Sequence, residues 1–314
     1  MAGCGMINLI LLQILLAFSS VAVNCYIFIS GYFLINTDFR WRKIVKIWCQ
    51  VAFYCCIIVS IVLFFDSNKA PSLLKAFLQS FPVLSKQYYF VSNYLALLAL
   101  APYLAKMVSS INKDEFQKLL GVGLLLNLVI YRFTCGYDFP YGSSFGGAYS
   151  LMWFLYLFLV GGYVRKYGVK TWLERFSGTL FITICCLIGC FSFYKTYQLG
   201  NPILSIKYLN YNGVVFFASL CLFIFFKRCR CNSICWDYIA KLAPYSFGVY
   251  ILHDNFYLRN FLWKQFFDIS NHINLLYLLV IPVIVYIWGS TIEMLRMYIF
   301  RKMKNINDEK QKCR

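Results

Sequence analysis

His253 and Asp254 are neighbouring ionisable residues in an apolar segment that begins after Lys241. At 1.5 Å per residue, a helix from Lys241 carries them about 18 Å, into a hydrocarbon layer about 30 Å thick. Ionisable side chains at that depth are functional by default. A neutral histidine accepts a proton from an attacking hydroxyl, and a carboxylate orients the ring. The pattern predicts a general base. The alternative is a structural histidine with Asp254 in an outer loop, since adjacent side chains diverge by about 100° on a helix.

Ser30 and Gly31 form a second candidate, followed by the basic residues Arg40, Arg42 and Lys43. A serine on an apolar helix more often bonds its own backbone or packs helices than attacks a substrate, so we predict no covalent intermediate on it. The glycine lets backbones approach closely. The basic residues are suited to phosphate groups, although topology signals and contacts with anionic lipid headgroups have the same composition.

The composition indicates a membrane protein. Of 314 residues, 61% are hydrophobic and 13% are charged, against the roughly one quarter charged in soluble domains. The net charge of +18 comes from 30 basic residues threaded between apolar runs, which argues against nucleic acid as a partner. Many of the 14 cysteines stand inside apolar runs and are interpreted as small hydrophobic residues. We assign no metal site.

Apolar runs between charge clusters must be helical in hydrocarbon, which predicts an all-α, polytopic transmembrane helical bundle of about nine spans. Residues 1–301 form the membrane domain, and residues 302–314 form a charged tail that we expect to be disordered. The predicted spans are residues 7–35, 44–65, 88–105, 118–131, 148–164, 176–194, 208–226, 242–258 and 273–295.

The orientation follows from the basic residues between spans. One set of alternate connecting segments holds 22 Lys and Arg residues and the other set holds 8. Because basic segments remain in the cytoplasm, the C-terminus is predicted to be cytoplasmic and, with nine spans, the N-terminus to be outside.

Four segments, taken in order along the chain, resemble motifs of the acyltransferase 3 family. These bacterial membrane proteins use acyl-CoA to O-acylate sugars of surface polysaccharides. The first segment resembles the family's apolar-Phe-x-x-Ser-Gly-Tyr/Phe run and reads Phe-Ile-Ser-Gly-Tyr here. The second begins Phe-Pro-Val, the third contains Gly-x-Tyr-x-Arg near its end, and the fourth contains Tyr-x-x-His. Tyr89, in the second, stands where the family usually has Trp. The segments are Val23–Leu34, Phe81–Phe90, Trp153–Lys166 and Tyr245–Asp254.

The resemblance implies an O-acyltransferase of the bacterial cytoplasmic (inner) membrane. It implies acetyl-CoA as the acyl donor substrate, a carbohydrate acceptor, the lipid bilayer as surroundings, and no bound cofactor. His253 with Asp254 is the implied base. The implied donor-binding residues are Ser30, Gly31, Tyr32, Arg40, Arg42, Lys43 and Arg165.

One feature departs from the family pattern. Family members usually have ten spans, the first carrying a basic residue and a catalytic histidine about three turns further on. No basic residue or histidine precedes Ser30. The chain is therefore expected to resemble a member that begins after the first span. The alternatives are an inactive truncated member and a transporter of polysaccharide or lipid-linked glycan. A transporter predicts internal inverted repeats, which the sequence does not show.

Overall fold

The computed structural model describes residues 6–37, 41–65, 88–135, 150–199, 213–229, 234–259 and 275–312. These residues form helices and no strand, which confirms the predicted all-α class. In chain order the helices are α1 (Met6–Ser20), α2 (Ala22–Leu34), α3 (Trp41–Phe65), α4 (Tyr89–Ser110), α5 (Lys113–Cys135), α6 (Leu151–Tyr167), α7 (Thr171–Leu199), α8 (Val214–Arg228), α9 (Ile234–Leu242), α10 (Ser246–His253) and α11 (Leu275–Lys312).

Within the described ranges, five helical stretches are long and apolar enough to cross a bilayer. They support the predicted helical membrane bundle. Helices α5, α6, α8 and α10 overlap the other four predicted spans without combining that length and apolarity, so the number nine stays a prediction. The five stretches are Leu9–Leu34, Trp41–Phe64, Tyr89–Ser110, Thr171–Gln198 and Leu279–Lys302.

Two details of the prediction are wrong. The span predicted over residues 242–258 is not one helix, because α9 ends at Leu242 and a 3₁₀ turn, Ala243–Tyr245, precedes α10. Pro244 stands at the start of that turn and has no backbone N–H for the α-helical bonding, although Pro102 and Pro282 are accommodated inside α4 and α11. The charged tail is helical rather than disordered as far as Lys312, because α11 continues through it.

The chain forms two compact units. The larger unit contains the described residues of Gly5–Val45 and Tyr89–Arg230, and the smaller unit contains those of Lys46–Tyr88 and Cys231–Arg314. In the smaller unit, α10 packs on α11 through two glycines. A Cβ on Gly248 would lie 2.6 Å from a carboxylate oxygen of Glu293, and one on Gly289 would lie 3.1 Å from Val249.

In the larger unit, α2 and α6 touch through a reciprocal pair of Phe-x-x-Gly segments. A Cβ on Gly31 would overlap the backbone carbonyl of Phe158, and a Cβ on Gly161 would overlap that of Phe28. Lipid chains are as apolar as leucine, so helices in a bilayer associate by close packing rather than by the hydrophobic effect. The two glycines supply that close approach.

The helix directions in the larger unit match the alternation that the predicted spans require. Helices α2 and α6 are parallel, because Asn24 bonds Trp153 near their starts and Tyr32 bonds Arg165 near their ends. The predicted spans that contain them are the first and the fifth, which must run the same way. Helices α7 and α8 are antiparallel, since Lys227 near the end of α8 bonds Glu174 in the first turn of α7.

We expect Gly31→Ala to lower the stability of the purified protein by about 1–3 kcal/mol or more, because the added Cβ forces α2 and α6 apart. The measurement is the thermal unfolding midpoint in neutral detergent. The matched control is Gly121→Ala in α5, where an added Cβ meets nothing within 4 Å. That change is expected to be neutral or to stabilise by up to about 1 kcal/mol. If Gly31→Ala and Gly121→Ala change the unfolding midpoint equally, Gly31 does not make the close contact with Phe158.

Candidate functional site

His253 is the last residue of α10 and is half-buried. Its Nδ1 lies 2.9 Å from the carbonyl oxygen of Val249, one turn earlier. A carbonyl only accepts hydrogen bonds, so Nδ1 must carry the proton, and in the neutral ring Nε2 then holds the lone pair. The ring packs edge-on to Tyr250, with centroids 6.0 Å apart. The local geometry thus presents an oriented imidazole whose Nε2 can accept a proton.

Asp254 follows as the C-cap residue of α10. Its carboxylate lies 3.5 Å from the guanidinium of Arg259, and the arginine side chain is half exposed. The group that receives the His253 Nδ1–H is the Val249 carbonyl rather than this carboxylate. A part for Asp254 in acid–base chemistry stays a prediction.

Two fully buried residues that the sequence analysis did not assign to the site, Tyr88 and Asn255, fix the end of α10. The Tyr88 hydroxyl donates to the carbonyl of Ile251 at 3.1 Å and accepts from Asn255 Nδ2 at 2.8 Å. The Asn255 side-chain oxygen accepts from the backbone N–H of Tyr257 at 3.1 Å. Because these bonds hold the backbone on both sides of His253, they limit the positions that its ring can take. No sequence motif marks this pairing.

Ser30 and Gly31 have structural contacts in the larger unit. The Ser30 hydroxyl lies 3.0 Å from the carbonyl of Tyr26, one turn earlier, and 3.3 Å from the hydroxyl of Tyr94. Ser30 and Gly31 are both buried, and Gly31 packs directly against the backbone of Phe158. These bonds are those of a helix-packing serine. Lining of a donor pocket by this pair stays a prediction.

Tyr32 and Arg165 come together at the ends of α2 and α6. The guanidinium donates to the tyrosine hydroxyl at 3.2 Å, and its carbon lies 4.9 Å from the ring centroid. Arg165 is exposed. A guanidinium has five N–H groups, so one bond to Tyr32 leaves capacity for an anionic ligand, and stacking on a ring orients the planar fork.

The remaining basic candidates stand at the start of α3. Arg42 and Lys43 are exposed in its first turn, and Arg40 lies outside the described residues. Exposure suits both a phosphate ligand and lipid headgroups. The described donor-binding candidates belong to the larger unit, whereas His253 and Asp254 belong to the smaller one.

A buried carboxylate cluster in the smaller unit was not predicted. Glu293 is 1% exposed and accepts four hydrogen bonds from three side chains. Arg296 donates two hydrogen bonds to it from one edge of the guanidinium, at 2.9 Å from Nε and 2.6 Å from Nη2. Gln50 donates at 3.0 Å, and the Tyr54 hydroxyl donates to the second oxygen. Gly248, from the segment with the Tyr-x-x-His motif, packs directly against this carboxylate.

The sequence did contain a signal for this cluster. Glu293 is the one charged residue inside the predicted span 273–295, and an ionisable group in a span needs a buried partner. With both oxygens bonded twice, the carboxylate has little capacity to act as a base. Its role in the described structure is to join α3 to α11 and to hold Arg296.

Comparison with known proteins gives one match. A family model described as an acyltransferase domain matches residues 5–292. No curated protein and no solved structure matches the chain. The matched range contains every residue that the sequence motifs singled out, in both units.

We expect Glu293→Ala to destabilise the protein by about 3–5 kcal/mol, because it leaves the Arg296 guanidinium buried without its counter-charge. Adding Arg296→Met is expected to recover part of that loss. The matched control is Glu174→Ala, which breaks the more exposed pair with Lys227 at 2.8 Å and is expected to cost less than about 1 kcal/mol. Thermal unfolding in detergent measures all three. If Glu293→Ala/Arg296→Met is no more stable than Glu293→Ala, the stability of the protein does not depend on the pairing of Glu293 with Arg296.

Proposed function

Because the chain belongs to the acyltransferase 3 family, we propose that it transfers an acyl group, most simply acetyl, from acyl-CoA to a hydroxyl of a surface polysaccharide. The family match over residues 5–292 carries this proposal. The apolar helices make the protein an integral membrane protein. We place it in the bacterial inner membrane with its C-terminus in the cytoplasm, as the basic connecting segments indicate.

The proposed base is His253. Its Nε2 takes the proton from the acceptor hydroxyl while the hydroxyl oxygen attacks the thioester carbonyl carbon. The tetrahedral intermediate collapses, the carbon–sulfur bond breaks, and the CoA thiolate leaves and takes up the proton held by the imidazolium. The Nδ1–H bond to Val249 keeps the tautomer fixed through the cycle. A thioester is already activated, so this reaction needs no bound cofactor.

Donor binding falls to the larger unit. In this proposal, Arg165, oriented by Tyr32, binds a phosphate of CoA arriving from the cytoplasm, since a guanidinium stacked on a ring forms a preorganised anion site. Arg40, Arg42 and Lys43 raise the local concentration of the anionic donor. Ser30 and Gly31 shape the backbone next to Tyr32, through the close contact of α2 with α6.

We expect His253→Ala to reduce O-acetylation about 100-fold or more, since a positioned general base contributes roughly that factor. The assay measures base-released acetate from surface polysaccharide of cells that lack the gene and carry each variant at equal protein level. His272→Ala, the change at the other histidine of the sequence, is the control. Full activity of His253→Ala would reject the assigned base. Absence of acetylation with the unaltered chain as well would contradict acyl transfer by this chain and leave the inactive truncated member and the glycan transporter as the alternatives.

For the donor site, we expect Arg165→Ala and Tyr32→Leu to raise the KM for acetyl-CoA about tenfold in membrane vesicles, with kcat little changed. Tyr32→Phe is expected to stay near wild type, because the ring that orients the guanidinium remains. Release of free CoA thiol measures the rate. Lys113→Ala is the matched control, because it removes another cation placed over a tyrosine ring, 5.9 Å from the centroid of Tyr167. A fall in kcat at constant KM would contradict a donor-binding role.

A further inference from the structure

A cleft of about 650 Å³ opens in the larger unit where α1, α7 and α8 meet. Apolar side chains form its walls: Phe18 from α1, Phe181 and Ile182 from α7, and Leu222 and Phe225 from α8. Phe18 and Phe181 meet edge to face, with ring centroids 5.2 Å apart. The volume lies in the range of about 300–1,000 Å³ that is usual for small-molecule sites.

Gly178 makes room along one wall of the cleft. A Cβ at this position would come within 2.9 Å of the Phe225 ring, so the missing side chain lets the ring lie against α7. Next to it, Thr179 is exposed and lines the same space. The cleft is therefore built into the contact between α7 and α8.

Charge is confined to one end of the cleft. Because α7 and α8 are antiparallel, the start of α7 and the last turn of α8 lie at the same end, and Arg175 and Arg228 both line the cleft there. Glu174, the only carboxylate among the described residues that line the cleft, is neutralised by Lys227 at 2.8 Å. Its backbone carbonyl accepts from Arg228 Nη1 at 3.2 Å, which fixes that guanidinium. Two positive charges thus remain at the mouth of an aromatic cleft.

We propose that this cleft binds one anionic phospholipid, with its phosphate on Arg175 and Arg228 and an acyl chain along Phe18, Phe181 and Phe225. A soluble anion would gain nothing from contact with the apolar walls, and a lipid without net charge would not form an ion pair with the two arginines. The positive-inside rule places this end of α7 and α8 at the cytoplasmic leaflet, where anionic lipids attract basic groups. The proposal does not depend on acyl transfer.

The test measures lipid bound to the purified chain in neutral detergent by native mass spectrometry. The probes are phosphatidylglycerol, phosphatidylcholine with the same acyl chains, and inorganic phosphate. We expect one retained phosphatidylglycerol per chain, and about thirtyfold weaker binding for R175Q/R228Q, from the loss of two cations near the membrane surface. Thr179→Trp, which narrows the cleft and keeps its charge, is expected to weaken binding as well.

The matched control is K106Q/K118Q, which removes the same charge from exposed lysines on the same predicted membrane face. It is expected to bind phosphatidylglycerol like the unaltered chain. Equal losses in the two double variants would show general surface attraction and overturn the proposal. If Thr179→Trp binds phosphatidylglycerol as tightly as the unaltered chain does, the acyl chain does not lie in the cleft and the proposal is overturned. If phosphatidylcholine is retained as well as phosphatidylglycerol, the arginines do not select the lipid and the proposal is overturned. If inorganic phosphate alone saturates the site, the site binds an ion rather than a lipid.

Discussion

Hydrocarbon offers no hydrogen-bonding partner, so a polar side chain buried in a membrane bundle must find one on a neighbouring helix. The larger unit shows the consequence in two places. Asn24 of α2 bonds Trp153 of α6 at 3.1 Å and Ser219 of α8 at 3.2 Å, which ties three helices at one point. Gln13 of α1 accepts from Ser192 of α7 at 2.7 Å. Such bonds contribute only about 1 kcal/mol each, but they are directional and specify which helices become neighbours.

The same constraint applies to two of the candidate groups, His253 and Arg165, which stand in the last turns of their helices. A helix interior satisfies its own backbone, whereas the last turn leaves carbonyls that attract positive charge. His253 lies in the last turn of α10 and Arg165 in the last turn of α6. The partial negative charge there stabilises the permanent cation of Arg165.

Sequence alone predicted the helical class, because uncharged runs of span length have one solution in lipid. It also singled out Tyr32 and Arg165 through separate motifs, and the parallel packing of α2 and α6 brings them together. A buried partner for Glu293 was foreseeable from its charge inside an apolar run, whereas the break at Pro244 was not, because other prolines are accommodated inside α4 and α11. The bonds from Tyr88 to Ile251 and Asn255 were not foreseeable, because they depend on helix packing between segments more than 160 residues apart. Arg42 and Lys43 are exposed, and an exposed basic residue suits a phosphate of the donor and a lipid headgroup equally, as the sequence already indicated.

The reciprocal Phe-x-x-Gly contact restricts how this sequence can change over evolutionary time. In a core of side chains, a larger residue at one position can be offset by a smaller one opposite, so the two positions exchange volume. Gly31 and Gly161 each face backbone atoms, of Phe158 and Phe28. No substitution opposite removes a backbone carbonyl, so neither glycine has a compensating partner. Among related chains that keep this contact, the two positions are therefore constant and show no covariation, and a search for coupled substitutions would miss one of the tightest contacts in the larger unit.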